Sequence, residues 1–438
     1  MKNELDYNYC LFSHNNDGLI LLCECLKDDN YYEIDFKVTD DKLEIVHIET
    51  NSEKNNKERV EYDYDNSKVT IDGNKIQIDL NYIFTFADSS TVKFETSKTF
   101  LRDKDIHKYR YEIFDKLDDK FKIKYIEKLI TSRQLYGNSS FVYDNIDSIF
   151  ELFKKINRKN VEIENFTPKH KIDEATAIEY AQKFLNELNI DFDIEKKIRD
   201  NTIKFIDVYS GNVNGRSLYD SKENKKLITV NKRNDLLMSA VLVHEIIHYI
   251  NQPEDDNRNY VSDYLTEAVS YSYELIFLDS FLKSDYKEDA LSIMQSLTYL
   301  MKQAVFLAFS PAFSLKLYKE NNKIEKETKE KYFSFESYKN EMTDFIMRQQ
   351  VLFNYVWNVI GYSYAISNFI SYKKDPSFAD KILELNNSIN DKSFLECLNI
   401  IGLEKLDDDK PVNSIDEYTA YVKKHRINDN NQTTKKHV

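Results

Sequence analysis

The sequence predicts an α+β protein, with a β-rich N-terminal domain over residues 1–118 and a mostly α-helical domain after it. Three observations lead there. Tyr32, Ile34, Phe36 and Val38 alternate with polar neighbours, the period of a half-buried strand. Beyond residue 119 apolar side chains recur at helical spacing instead, as at Ile146, Ile149, Phe150, Phe153 and Ile156. The run LLMSAVLVHEIIHYI is apolar almost all round, which marks a buried helix.

Taken in order, Val69 and Ile71 precede Asp72-Gly73-Asn74, and Ile76, Ile78, Leu80 and Tyr82 follow. That is a hairpin pattern, since Gly73 can adopt positive φ. Val92 and Phe94 suggest one more strand, and 49–60 a solvated loop. Residues 119–195 read as a helical connecting region, with Ala177, Ala181, Phe184, Leu185 and Leu188 as a second apolar stripe. The polar stretch 157–172, with Pro168, is the expected linker. The helical domain is expected over 196–425. In it, 225–230 reads as a strand, Asn234 or Asp235 as a helix cap, and Asp263 as the approximate start of a second long helix. Further helices are expected at 287–308, after Pro311 and across 340–370, with a flexible tail at 426–438.

Composition excludes several classes. The 438 residues carry a net charge of -14, and Lys and Arg are dispersed, so neither nucleic acid nor an anionic membrane is an expected partner. Lys423, Lys424 and Arg426 read as a solvated face. No stretch approaches the roughly 18 apolar residues of a spanning helix. The N-terminus is acidic and lacks a secretory pattern, so the expected location is the cytoplasm, although leaderless secretion would leave the same sequence. Cys10, Cys23, Cys25 and Cys397 read as reduced thiols without a disulfide framework.

The chemistry concentrates at His244-Glu245-Ile246-Ile247-His248, in a chain with only eight histidines. On a helix, positions i and i+4 share a face, so two imidazoles can each offer a nitrogen to one Zn²⁺ ion. Glu245 can then take a proton from the metal's water. Glu267 lies 19 residues after His248 in the next helix, placed to return as third ligand. Glu274, two turns further on the same face, suits the orientation of a ligand histidine and is the rival third ligand. A pair of satisfied core histidines is the bland alternative, but burying two histidines and a glutamate in an apolar helix is costly without a task.

This arrangement resembles the gluzincin peptidases, and within them the oligoendopeptidase F and thimet oligopeptidase family. NGRSLYDSKENKKLITVN before the metal motif is similar to that family's edge-strand segment. Thr266-Glu267-Ala268-Val269-Ser270 through Glu274-Leu275 resembles its glutamate helix, and Gly361-Tyr362-Ser363-Tyr364-Ala365 its tyrosine-rich segment. SFADKILELNNSINDKSFLECLNIIGLE is similar to its C-terminal helices, and the likeness covers roughly 195–410. It implies a gluzincin-type fold, one zinc per chain, and hydrolysis of peptides or unfolded segments, with the substrate pairing along 225–230. It also implies oxyanion stabilisation by Tyr362 or Tyr364, with Tyr355 behind them. Three departures stand out: Ile247 replaces the usual glycine, the spacing to Glu267 is short, and Asn354 replaces a histidine. The spacing of 19 also suits zinc aminopeptidases, but the G-x-M-E-N segment they need is missing from 205–232. A silent peptidase-like binding module is the competing class, and the N-terminal domain could then serve a protein partner.

Overall fold

The computed structural model describes residues 7–15, 18–27, 30–39, 42–50, 59–62, 68–72, 75–85, 91–101, 122–123, 126–127, 133–134, 137–160, 167–206, 214–220, 225–252, 260–320 and 341–433. For most of the strands before residue 102 the backbone alone is described. The chain divides into two compact units, Met1–Arg133 with Phe333–Met347, and Gln134–Tyr332 with Arg348–Val438.

In the first unit, β1 (Tyr7–Asn15), β2 (Gly18–Lys27), β3 (Asn30–Thr39) and β4 (Lys42–Thr50) form an antiparallel meander. A second sheet holds β5 (Arg59–Tyr62), β6 (Lys68–Asp72), β7 (Lys75–Thr85) and β8 (Thr91–Leu101). Asp72 pairs with Lys75, so Gly73 and Asn74 form the two-residue connection. Strand β7 pairs with β6 over its first half and β5 over its last residues, and with β8 along its whole length. Residues 51–58, most of the expected loop, lie outside the described residues.

The second unit is mostly helical. After the short pair β9 (Arg133–Gln134) and β10 (Gly137–Asn138) come α1 (Ser139–Asp144), α2 (Ile146–Asn157), α3 (Glu174–Glu187) and α4 (Ile194–Arg199). The apolar stripe of α2 is buried at Ile146, Ile149, Phe150, Phe153 and Ile156, as its spacing requires. A three-stranded sheet follows, of β11 (Ile203–Ile206), β12 (Gly215–Asp220) and β13 (Lys225–Asn231). Its order is β11-β13-β12, parallel between β11 and β13 and antiparallel between β13 and β12. Strand 225–231 is therefore central, flanked by β12 along Lys225–Val230 and by β11 along Ile228–Asn231. The edge strands are β11 and β12, which corrects the expectation of pairing along 225–230.

Helix α5 (Leu236–Asn251) packs against β12, β13 and α3 and carries buried side chains almost all round. It is followed by α6 (Tyr260–Ser280), α7 (Lys287–Lys319), α8 (Glu341–Lys374), α9 (Phe378–Ser388), α10 (Phe394–Ile400) and α11 (Asp409–Thr433). The backbone of α11 is helical through Thr433, into the stretch where a flexible tail is expected. Helix α7 runs through Pro311, where a break is expected. Proline removes the bond to the carbonyl four residues back, which is that of Leu307. Arg348 Nη2 donates to that carbonyl at 3.2 Å and so replaces the missing partner. Among the described residues no helix is long and apolar enough to cross a membrane.

Candidate metal centre

The site is built on α5. Asn234 takes a left-handed turn (φ 56), which asparagine tolerates, and Asp235 then caps the helix by accepting from the Met238 amide at 3.3 Å. At the other end Lys226 Nζ donates to the carbonyls of Gln252 (2.6 Å) and Tyr249 (3.3 Å), and Asn390 donates to Asn251 O at 3.0 Å. A cation on the last carbonyls suits the helix dipole. Between these fixed ends His244 and His248 stand one turn apart, facing α6.

Helix α6 returns antiparallel and presents Glu267, Tyr271 and Glu274 at i, i+4 and i+7 on one face. Glu267 Oε1 lies 3.0 Å from His248 Nε2, and its Oε2 lies 3.5 Å from His244 Nε2. The two histidine Nε2 atoms are 2.9 Å apart. His244 Nδ1 donates to Glu274 Oε2 at 3.1 Å, which turns Nε2 toward the cluster. Glu274 thus bonds the outer nitrogen of His244, while Glu267 faces the Nε2 atoms of both histidines.

The donor set fits zinc. Around a tetrahedral zinc with bonds of about 2.0–2.1 Å, neighbouring donors sit about 3.3 Å apart. The 2.9 Å between the two Nε2 atoms and the 3.0 Å between His248 Nε2 and Glu267 Oε1 lie close to that value. Two imidazoles and one carboxylate are the ligand types of an open catalytic site, and all three donor atoms lie within 4.8 Å of one another. His244, Glu245 and Glu267 are buried, while His248 keeps some exposure, so the cluster is reached from one side.

Charge is concentrated here. Burial favours the neutral form of Glu267, but His248 and His244 outweigh it and hold the carboxyl down at about 2. Burial likewise favours neutral His244, and the carboxylates of Glu267 and Glu274 overcome it, so the ring stays protonated well above the usual histidine range in the metal-free protein. Glu245 moves the other way. Burial raises it above its ordinary value against the pull of His244, His248 and the Ser217 amide. A carboxylate with raised affinity for a proton is what general-base work requires.

Two glycines leave no room for a side chain beside these carboxylates. A Cβ on Gly215 would stand 2.8 Å from Glu245 Cγ and 2.6 Å from Val241 Cγ1. A Cβ on Gly361 would stand 2.7 Å from Glu267 Cβ. Strand β12 and helix α8 therefore press directly on the two acids. Asn231 N donates to Asn214 O, so the register turns the backbone groups of Arg216, Leu218 and Asp220 toward β13 and those of Gly215, Ser217 and Tyr219 outward. The outward amide of Ser217 bonds Glu245.

The tyrosines separate. Tyr362 is buried, and its hydroxyl accepts from that of Tyr271 at 3.2 Å. Tyr364 is fully buried, but two residues along a helix turn a side chain to the far side, and its hydroxyl donates to Leu406 O at 2.8 Å. The expected placement of Tyr364 in the site is thereby corrected. Tyr355 lies two turns before Tyr362, half-buried, with no hydrogen bond to the cluster among the described residues. The backbone carbonyl of Asn354 accepts from Asn358, while its own Oδ1 is buried and without a partner among the described residues. Tyr271, Gly215, Ser217 and Gly361 escaped the sequence as site residues. Only Tyr271 carried a signal, one turn after Glu267, and it was lost among 31 tyrosines.

Comparison with known proteins adds three solved structures. A chain described as an oligoendopeptidase F from Bacillus anthracis str. Ames is 17% identical, with a TM-score of 0.44. A second oligoendopeptidase F is 13% identical (TM-score 0.47), and PZ peptidase A, solved with an inhibitor, is 16% identical (TM-score 0.46). Each alignment covers 72% of this chain and 62%, 65% and 66% of the respective partner. The chain thus spans about two thirds of their length. No protein-family model and no curated protein matches the sequence.

Proposed function

We propose that the chain is a zinc-dependent peptidase that hydrolyses internal bonds of peptides or unfolded segments. One observation supports this above the others: His244, His248 and Glu267 converge within ligand distance of one another, with Glu245 beside them on the same helix. These three would hold one zinc per chain. When bound, zinc supplies a Lewis acid for the substrate carbonyl and makes water more acidic.

The residues around it divide the remaining work. Glu245 removes the proton from the attacking water and delivers it to the leaving amine. Glu274 keeps His244 in the tautomer that offers Nε2. Tyr362 donates its hydroxyl to the oxyanion, and Tyr355 stands behind it. An extended peptide adds to the outer edge of β12, where Gly215 and Tyr219 turn their backbone groups outward. Asn354 stands where the resembled family has a histidine; its amide can donate a hydrogen bond but cannot act as an acid.

Residues 1–118 are proposed as a separate β-rich domain that restricts access or receives a protein partner, with 119–195 connecting it to the catalytic domain at 196–425. The proposed location is the cytoplasm. The test is a peptide library digested with zinc-loaded protein and read by mass spectrometry. Internal cuts that vanish on chelation support an endopeptidase. Removal of single residues from amino termini would make the chain an aminopeptidase. Zinc binding without any cut would leave a peptidase-like binding module.

A further inference from the structure

We infer that Tyr271 is a positioning residue that holds the Tyr362 hydroxyl as hydrogen-bond donor at the metal centre. The geometry begins with close packing. Because Gly361 lacks a Cβ, α8 lies against Glu267, and the next residue, Tyr362, sets its ring 4.6 Å from that of Tyr271. Tyr271 in turn packs at 62° on the imidazole of His244, with centroids 4.4 Å apart. The three rings form a continuous path from α8 through α6 to α5.

The hydroxyls decide its use. They lie 3.2 Å apart, and neither has another hydrogen-bond partner among the described residues. Two phenols bring two O–H protons, and their mutual bond needs one. With Tyr271 donating to Tyr362, the second proton belongs to Tyr362 and has no acceptor among the described residues. Glu267 and Glu274 are close enough to act on Tyr362 electrostatically, yet no hydrogen bond joins them to it. Tyr271 is half-buried and packs on His244, so the pair lies beside the cluster. A proton fixed there, and accepted by none of the described residues, is a preorganised donor for an oxygen that gains charge. Tyr364 cannot substitute, because its hydroxyl is spent on Leu406 O.

The chemical role rests on the proposed peptidase activity, but the hydroxyl pair does not, and the test separates them. Wild type, Tyr271→Phe, Tyr362→Phe and the double variant are loaded with zinc. Each is followed by ¹³Cζ-tyrosine NMR and by steady-state peptide cleavage. Phenylalanine keeps the ring against His244, so zinc content is expected to stay constant. The resonance lost in Tyr362→Phe identifies Tyr362. In Tyr271→Phe that resonance is expected to move, kcat to fall about tenfold or more with KM unchanged, and the double variant to be no slower than Tyr362→Phe. An unmoved resonance overturns the pair. A wild-type kcat in Tyr271→Phe, or losses that multiply in the double variant, overturns the positioning role while the peptidase proposal stands. A moved resonance in a protein that cuts no peptide upholds the pair and removes the peptidase proposal instead.

Discussion

At the scale of single residues, the centre depends on what is small as much as on what is charged. Gly361 sits inside a 34-residue helix, where glycine costs about 1 kcal/mol relative to alanine. An alanine in open helix would therefore stabilise. Here its Cβ would be forced onto Glu267 Cβ, so Gly361→Ala is expected to destabilise the fold and weaken zinc affinity about tenfold, measured by chelator competition. Tyr364→Phe is expected to cost about 1 kcal/mol in denaturant unfolding, by orphaning Leu406 O, while leaving kcat alone. The metal cluster was legible in the sequence because its chemistry is local. Two histidines at i and i+4 define a face, and Glu267 follows on the next helix. Gly215, Ser217 and Gly361 were not legible, since what they touch lies on other elements and no spacing encodes a clearance. Tyr362 and Tyr364 looked equivalent until the helix turned them to opposite sides.

Among the elements, α5 carries the site and Asp235 starts it. Burial raises the Asp235 carboxyl above its ordinary value, although Arg233 and the amides of Met238 and Leu237 pull the other way. A raised acid contributes stability below its unfolded value that is lost as pH rises through the folded one, so the charged cap is a net cost near neutrality. Asparagine caps as well as aspartate without the charge. The melting temperature of Asp235→Asn relative to wild type is therefore expected to rise between about pH 3.5 and pH 7. A difference that falls with pH would mean that the Arg233 ion pair dominates. Element type was largely readable from period, as α2, α5 and the β6–β7 hairpin illustrate. Strand order was not: β13 and β12 are both short and half-apolar, and only long-range pairing makes one central and the other the edge. The continuation of α7 through Pro311 was equally hidden, because the donor that replaces the lost bond, Arg348, comes from a helix 37 residues away in sequence.

At the scale of the whole molecule, the candidate metal ligands come from two helices, so zinc would tie α5 to α6 and stabilise only the folded chain. With free zinc at about 100 times Kd the gain is about 2.7 kcal/mol. The melting temperature is expected to rise with zinc concentration and to fall on chelation. The measurement that tests the central claim most directly compares wild type with Glu245→Gln, recording zinc content and peptide turnover on the same samples. Glu245 lies beside the ligands without being one. The expected result is one zinc per chain in both proteins, with turnover lowered at least about a hundredfold in the variant. Turnover that survives the substitution, or a wild type that binds no zinc, would contradict it.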